Sequence, residues 1–199
     1  MLTGEQLVSA LNHLSATVSQ YQGTAYRAVS PKRCDNPLDS FGSILNGGRY
    51  NTKDIFEVLY LGDSGNTACI EYRNRLIRAN GGFFEDEERP CKVFTVEYRL
   101  NTVLDITNLD NQDILGTSHQ ELTGNWNWYQ RNVSEKISPT QILGKAIYDL
   151  GTIVALKVPS APHCGAHNII IFPEILMKNH SLGHLRARDP FGIIDVQFP

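Results

Sequence analysis

An α+β fold is the class this sequence predicts, and three observations predict it. Apolar residues alternate or form short blocks, as strands do, in more places than they recur at helical spacing. Helices do not alternate regularly with those strands, which excludes a doubly wound parallel sheet. No repeat, low-complexity tract or Pro/Ser-rich linker divides the 199 residues, a length that fits one domain with a core of its own.

Thr3 to about Tyr21 reads as an amphipathic helix, because Leu7, Leu11, Leu14 and Val18 recur at three- and four-residue steps. Thr3 and Gln6 have capping-box spacing. A short strand, Ala25–Val29, follows. Then comes a long polar loop with Pro31, Pro37, Gly42, Gly47 and Gly48; ordered loops of this length are often functional. Glu57–Gly62 reads as a strand. Asp63 or Ser64 caps a helix running to about Asn80, where Gly81-Gly82 stops it.

Lys92–Leu100 alternates, with Phe94, Val96, Tyr98 and Leu100 on one face, so it predicts a half-buried strand. Val103–Ile106 predicts another. Ser138-Pro139-x-Gln141 opens a helix with a cap, a first-turn proline and a closing glutamine, and Gly151 ends it. Ile153–Val158, Asn168–Phe172 and Gly192–Phe198 complete the strands.

Composition excludes several functions. With 18 Lys+Arg against 21 Asp+Glu the formal charge is −3, the wrong sign for a protein devoted to polyanions, so direct nucleic-acid binding is not expected. No apolar run approaches the roughly 18–20 residues that span a bilayer. Met1–Glu5 lacks the charged and apolar segments of a secretory signal, so the expected location is the cytoplasm. Cys34, Cys69, Cys91 and Cys164 form no C-x-x-C pair and read as free thiols in a reducing compartment. His163/His167 and His180/His184 have ligand-like spacing, but glycine or proline interrupts both segments, and no metal site is expected. Glu85–Glu88 reads as a solvated acidic run, and Trp126, Trp128 and Tyr129 as core or a partner surface. Dinucleotide-binding and P-loop glycine patterns are absent.

The candidate chemistry lies in polar residues set within or beside apolar strands. Arg27 interrupts Tyr26–Val29. Arg49 follows Gly47-Gly48, where the backbone can turn tightly and approach a ligand. A guanidinium there can grip a phosphate through paired donors, or sit in a surface salt bridge. Glu71 sits in the early turns of a helix, either as a half-buried functional carboxylate or as a solvated one favoured by the helix dipole. Ser160 and Asn168 occupy strand ends, where sites gather, but turn chemistry also accounts for them. Ser160 lacks the Gly-x-Ser-x-Gly elbow of a hydrolase nucleophile.

Together these pieces resemble the RES domain family, named for an arginine, a glutamate and a serine in that order. The resemblance rests on Tyr26-Arg27, Gly48-Arg49-Tyr50-Asn51, Leu59-Tyr60-Leu61 and Ala68-x-x-Glu71. It continues through Thr140-Gln141-x-Leu143-Gly144, Val158-Pro159-Ser160-Ala161, Asn168 and Phe172-Pro173. Tyr50 stands where the family often has tryptophan. The resemblance implies one domain over residues 1–199, with a core at about 22–175, an N-terminal helix over 3–21 and an extension over 176–199. It also implies an ADP-ribosyltransferase-like split β-sheet with flanking helices.

By the same resemblance the protein is a toxin that consumes NAD+ as substrate, with no prosthetic group, and is neutralised by an Xre-type antitoxin; a homodimer is compatible with it. Glu71 would stabilise an oxocarbenium-like transition state. Arg27 and Arg49 would hold the pyrophosphate or its ribose, beside Tyr50 and Asn51. Tyr60 would stack on nicotinamide or shape its pocket, and Ser160 would orient ribose or carboxamide, supported by Asn168. Water is the first-ranked acceptor, making an NAD+ glycohydrolase. Phosphate would make a phosphorylase, and a protein side chain an ADP-ribosyltransferase. A non-catalytic module binding a protein through Trp126–Tyr129 is the rival of another class.

Overall fold

The strand β3 (Lys92–Asp105) organises the fold. One edge pairs antiparallel with β1 (Ser19–Val29), from Ser19↔Val103 to Val29↔Lys92. The other edge serves two neighbours. Thr95–Leu100 pairs antiparallel with β6 (Gly183–Arg188), while Val103–Asp105 pairs parallel with β4 (Ala155–Pro159). The sheet splits where those partners diverge. Beyond β4 come β5 (His167–Ile171) and β2 (Leu59–Gly62), both antiparallel, and Tyr26↔Gly62 returns the ladder to β1. β7 (Asp195–Phe198) extends the outer branch from β6. The computed structural model describes all residues except 16–17, 80–89, 129–136, 191, 193–194 and 199, and only the backbone of 76–79.

The helices include α1 (Gly4–Ser15), α2 (Phe41–Asn46), α3 (Gly65–Ala79), α4 (Leu109–Ile114), α5 (His119–Thr123), α6 (Pro139–Leu150) and α7 (Pro173–Lys178). The result is the α+β class expected, with a split sheet and flanking helices. The apolar periodicity of β4 and β5 explains the layering. Leu156, Val158 and Ile170 join one core with Leu7, Leu11, Leu14, Leu143 and Ile147 of α1 and α6. Ala155, Ile169 and Ile171 join a second with Ala25, Leu59, Leu61, Val96 and Leu185. Both faces are covered, so these strands read as continuous apolar blocks. Each fully buried Leu or Ile contributes about 1.5–3 kcal/mol, which outweighs local preference in placing the elements.

Several boundaries differ from expectation. The first helix stops at Ser15, not Tyr21, because β1 already begins at Ser19. Pairing with β3 claims that segment, and the Tyr21 hydroxyl donates to Asp105 at 2.9 Å. The expected strands Lys92–Leu100 and Val103–Ile106 are one strand, since β1 pairs on both sides of the gap. The long polar loop carries α2, and α4, α5, α7 and β6 were not anticipated. Ser64 is the cap of α3: its Oγ accepts from the Thr67 N–H at 3.0 Å. Ser138 and Gln141 form the expected capping box, and Gly151 ends α6 at φ 68°. Gly81-Gly82, Glu85–Glu88 and Tyr129 lie outside the described residues, while Trp128 is exposed. The described cysteines form no disulfide, although the Cys69 and Cys91 sulfurs lie 3.6 Å apart. No helix among the described residues is long and apolar enough to cross a membrane.

Candidate active site

The loop Gly47–Asn51 is docked on α6. Gln141, completely buried, donates from Nε2 to the carbonyls of Gly48 at 2.9 Å and Asn51 at 3.3 Å. One turn on, Gly144 lets α6 touch the loop directly: a β-carbon there would lie 1.8 Å from the Tyr50 carbonyl oxygen. Gly48 serves a similar contact, since its β-carbon would meet the Tyr60 hydroxyl at 2.4 Å. The Thr140–Gly144 motif therefore carries a loop-to-helix joint.

Three residues expected at the ligand make their contacts within the protein. The Asn51 side chain is fully buried; Nδ2 donates to Ser43 O at 2.8 Å and Phe56 O at 3.3 Å, and Oδ1 accepts from the Tyr60 hydroxyl at 2.9 Å. Asn51 thus braces the loop and Tyr60 rather than facing a ligand. Tyr50 is 1% exposed and packs in the core, and burial raises its phenol pKa. Arg49 donates from one nitrogen to Leu122 O at 2.8 Å and Gly124 O at 2.7 Å, and from the other to Thr123 O at 3.4 Å. These are carbonyls at the C-terminal end of α5, where a cation is favoured by the helix dipole. Its first task is to hold α5, although its charge also acts on the Tyr50 and Tyr60 phenols.

Tyr60 is half-buried on β2, with its hydroxyl fixed by Asn51 and by the Tyr50 N–H at 3.1 Å. Burial raises its pKa, so it is a neutral phenol at physiological pH. Its carbonyl accepts from Arg27 at 3.3 Å, and Asp39 O accepts from the other Arg27 terminal nitrogen at 2.6 Å. The Arg27 Nε is buried and has no hydrogen-bond partner among the described residues. Burial lowers the Arg27 pKa to about 10, and the Arg75 charge pushes the same way, so the group stays cationic at pH 7.

Glu71 sits half-buried in the second turn of α3. Its Oε1 accepts from the Ser160 hydroxyl at 2.7 Å and from Asn168 Nδ2 at 2.6 Å. Ser160 is 3% and Asn168 8% exposed. Both strand ends therefore aim at one carboxylate oxygen, while Oε2 receives no such bond among the described residues. The Ser160 proton is directed to Glu71. The β-register explains the meeting. Asn168 pairs with Gly62 of β2 on one side and Val158 of β4 on the other, which brings the start of α3 to the β4–β5 turn.

Sequence reasoning missed several neighbours. Arg75 lies one turn beyond Glu71 on α3, with its guanidinium 5.6 Å from the centre of the Tyr72 ring. The four-residue spacing from Glu71 was the available signal. Arg33 joins the same positive field, acting on both Arg27 and Arg75. Asp63, Thr67 and His163 form a hydrogen-bonded group below Ser160. A separate cavity of about 600 Å³, bounded by Met1, Glu121, Gly124, Trp126, Ser138 and Thr140, includes none of Glu71, Arg27, Tyr60 or Ser160. The hydrogen-bonded carboxylate, rather than that cavity, is the candidate site, because two fixed donors converge on it.

The arrangement offers a carboxylate held by two donors, and a half-buried aromatic ring, Tyr60, whose carbonyl accepts from Arg27. A comparison with curated proteins finds no significant match. A solved structure is similar: a chain in the crystal structure of the M. tuberculosis MbcT–MbcA toxin–antitoxin complex. The TM-score is 0.62 at 20% identity, covering 84% of this chain and 82% of that one. The likeness is one of fold. The RES domain family model matches residues 24–186, from β1 to β6, taking in Arg27, Glu71 and Ser160. The chain belongs to the RES domain family.

Proposed function

We propose that this protein cleaves the nicotinamide–ribose bond of NAD+ with water as acceptor, and that it acts as the toxin of a toxin–antitoxin pair. The observation that carries the reading is the Glu71 carboxylate, gripped through Oε1 by Ser160 and Asn168. Nicotinamide leaves a cationic pyridinium as a neutral molecule, so it needs no proton from a general acid. Ordinary glycosidases use two carboxylates, one of them as acid. Here one suffices, provided it is held where positive charge develops on the ribose. Oε1 is fixed before substrate arrives, and Oε2 faces the ribose hydroxyls. A preorganised anion of this kind stabilises an oxocarbenium-like transition state with little reorganisation.

The remaining side chains divide the substrate. Arg27, with Arg75 and Arg33 at the rim, attracts the pyrophosphate. Tyr60 presents its ring to the nicotinamide, its hydroxyl already engaged. Loss of NAD+ would harm the cell that makes the enzyme, so an antidote is part of the proposal, an Xre-type antitoxin. Support for the toxin role comes from family membership and from the fold shared with a chain of a toxin–antitoxin complex.

The test is incubation of the purified chain with NAD+, followed by mass spectrometry with and without inorganic phosphate. Nicotinamide plus ADP-ribose is the expected result. ADP-ribose phosphate appearing only with phosphate would transfer the reading to a phosphorylase, and modified protein to a transferase. An absence of nicotinamide release would remove the enzymatic reading.

A further inference from the structure

Thr67 stands one helical turn before Glu71 on α3, and both side chains meet the turn between β4 and β5. We propose that Thr67 and His163 form a clamp that positions Ser160, and through it the Glu71 carboxylate. Both are positioning residues for the reaction, and the inference rests on the Glu71-centred reading above.

Thr67 is completely buried. Its Oγ1 lies 2.5 Å from Asp63 Oδ1, 2.8 Å from Ser64 Oγ and 2.8 Å from His163 Nδ1. A hydroxyl has one proton to donate, and an ionised carboxylate can only accept. Burial pushes the Asp63 carboxyl up, but hydrogen bonds from Thr67 and the His167 backbone outweigh it and hold the pKa below the ordinary value. The Thr67 proton therefore goes to Asp63. Toward His163 the oxygen offers a lone pair, so the imidazole carries its proton on Nδ1. This fixes both the tautomer and the ring orientation.

The backbone of the same residue completes the link. The His163 N–H donates to Ser160 Oγ at 3.3 Å, which occupies a lone pair and turns the Ser160 proton toward Glu71. The turn is closed on itself by Ser160 N–H to Ala166 O at 2.9 Å and Ala166 N–H to His163 O at 3.1 Å. His167 ties the far end to Asp63, donating its backbone N–H to Oδ2 at 3.0 Å, with its ring Nδ1 3.2 Å from that oxygen. Asp63 thus takes the far end of the turn at His167, Thr67 its middle at His163 and Glu71 its near end at Ser160. Nothing in the clamp touches the substrate, yet a displacement of the carboxylate by about 1 Å is enough to cost up to about a hundredfold in rate.

The test compares Thr67→Val, which keeps shape and removes the hydroxyl, with Thr67→Ser, which restores it. His163→Leu and His163→Asn form the matching pair, since asparagine can place an N–H near the Nδ1 position. Steady-state nicotinamide release and amide hydrogen exchange of residues 160–166 are measured on each intact chain. Thr67→Val and His163→Leu are expected to lower kcat about tenfold, leave KM within about twofold and speed exchange in the turn. Thr67→Ser and His163→Asn are expected to behave like wild type. Wild-type kcat and exchange in both disruptive variants would overturn the clamp, as would serine performing no better than valine. Should Thr67→Val fail to fold, the His163 pair decides alone. If the wild type releases no nicotinamide, the catalytic reading falls, and the exchange data still decide whether the clamp holds the turn.

Discussion

Two motif-rich regions flank Tyr60, and they use their polar atoms in opposite directions. The Gly47–Asn51 loop turns its groups inward. Asn51 bonds Ser43, Phe56 and Tyr60; Arg49 bonds the end of α5; and the Gly48 and Asn51 carbonyls accept from Gln141. The β4–β5 turn sends its groups to one carboxylate, Glu71. A residue pattern shared with a family therefore mixes two causes. The first region is packing, which sets where the Tyr60 hydroxyl stands. The second holds the Glu71 carboxylate of α3, on which the proposed reaction rests. Only the hydrogen-bond partners tell them apart.

The comparison breaks most sharply at Glu71. Glu71→Gln keeps size and a hydrogen-bonding end but removes the charge. NAD+ turnover is expected to fall about 10²–10³-fold with the melting temperature nearly unchanged, measured by nicotinamide release and thermal unfolding. Retained turnover would take the catalytic role from the β4–β5 side. Gly144→Ala tests the other side by overpacking. Its new methyl would clash with the Tyr50 carbonyl, and a loss of about 1–3 kcal/mol is expected in urea denaturation. Unaltered stability would mean that the loop yields easily and is not a rigid scaffold.

Ser160→Ala should lower kcat about tenfold while Asn168 still holds Glu71, with KM little changed. A rise in KM alone would return Ser160 to a substrate-contacting role. The smallest effect is expected at Asp105, at the end of β3. Burial pushes its carboxyl up, but bonds from Thr107, Lys157 and Tyr21 outweigh this and lower its pKa. Its stabilisation is therefore complete above the unfolded value and is lost as pH falls through the folded one. Asp105→Asn should cost under about 1 kcal/mol at pH 7, with the gap closing in acid and NAD+ turnover unaffected. Urea denaturation at several pH values checks this.

The fold was legible where periodicity and caps speak for themselves. Ser138 and Gln141 mark the start of α6, and the blocks Ile153–Val158 and Asn168–Phe172 announce strands covered on both faces. Val18 shows the limit. It continues the helical spacing of Leu7, Leu11 and Leu14, yet the helix ends at Ser15 because β3 offers the next residues a ladder. The site was partly legible too. Glu71, Ser160 and Asn168 stood out as polar residues at element ends; Thr67 and Arg75 did not, since each looks ordinary in its own segment, and His163 drew notice only for its spacing to His167.

By itself, the sequence determined a near-neutral α+β domain, the positions of its main strands and capped helices, and a family resemblance ordered around Arg27, Glu71 and Ser160. The tertiary structure alone decided which of those residues act on one another. Glu71 meets Ser160 across 89 positions of chain and Asn168 across 97. Gln141 meets the Gly47–Asn51 loop across more than 89 as well. Contacts of that separation follow from strand register and helix docking, which depend on burying the whole of both cores at once. Local patterns name the candidates, and burial and hydrogen-bond geometry assign them to chemistry or to scaffold.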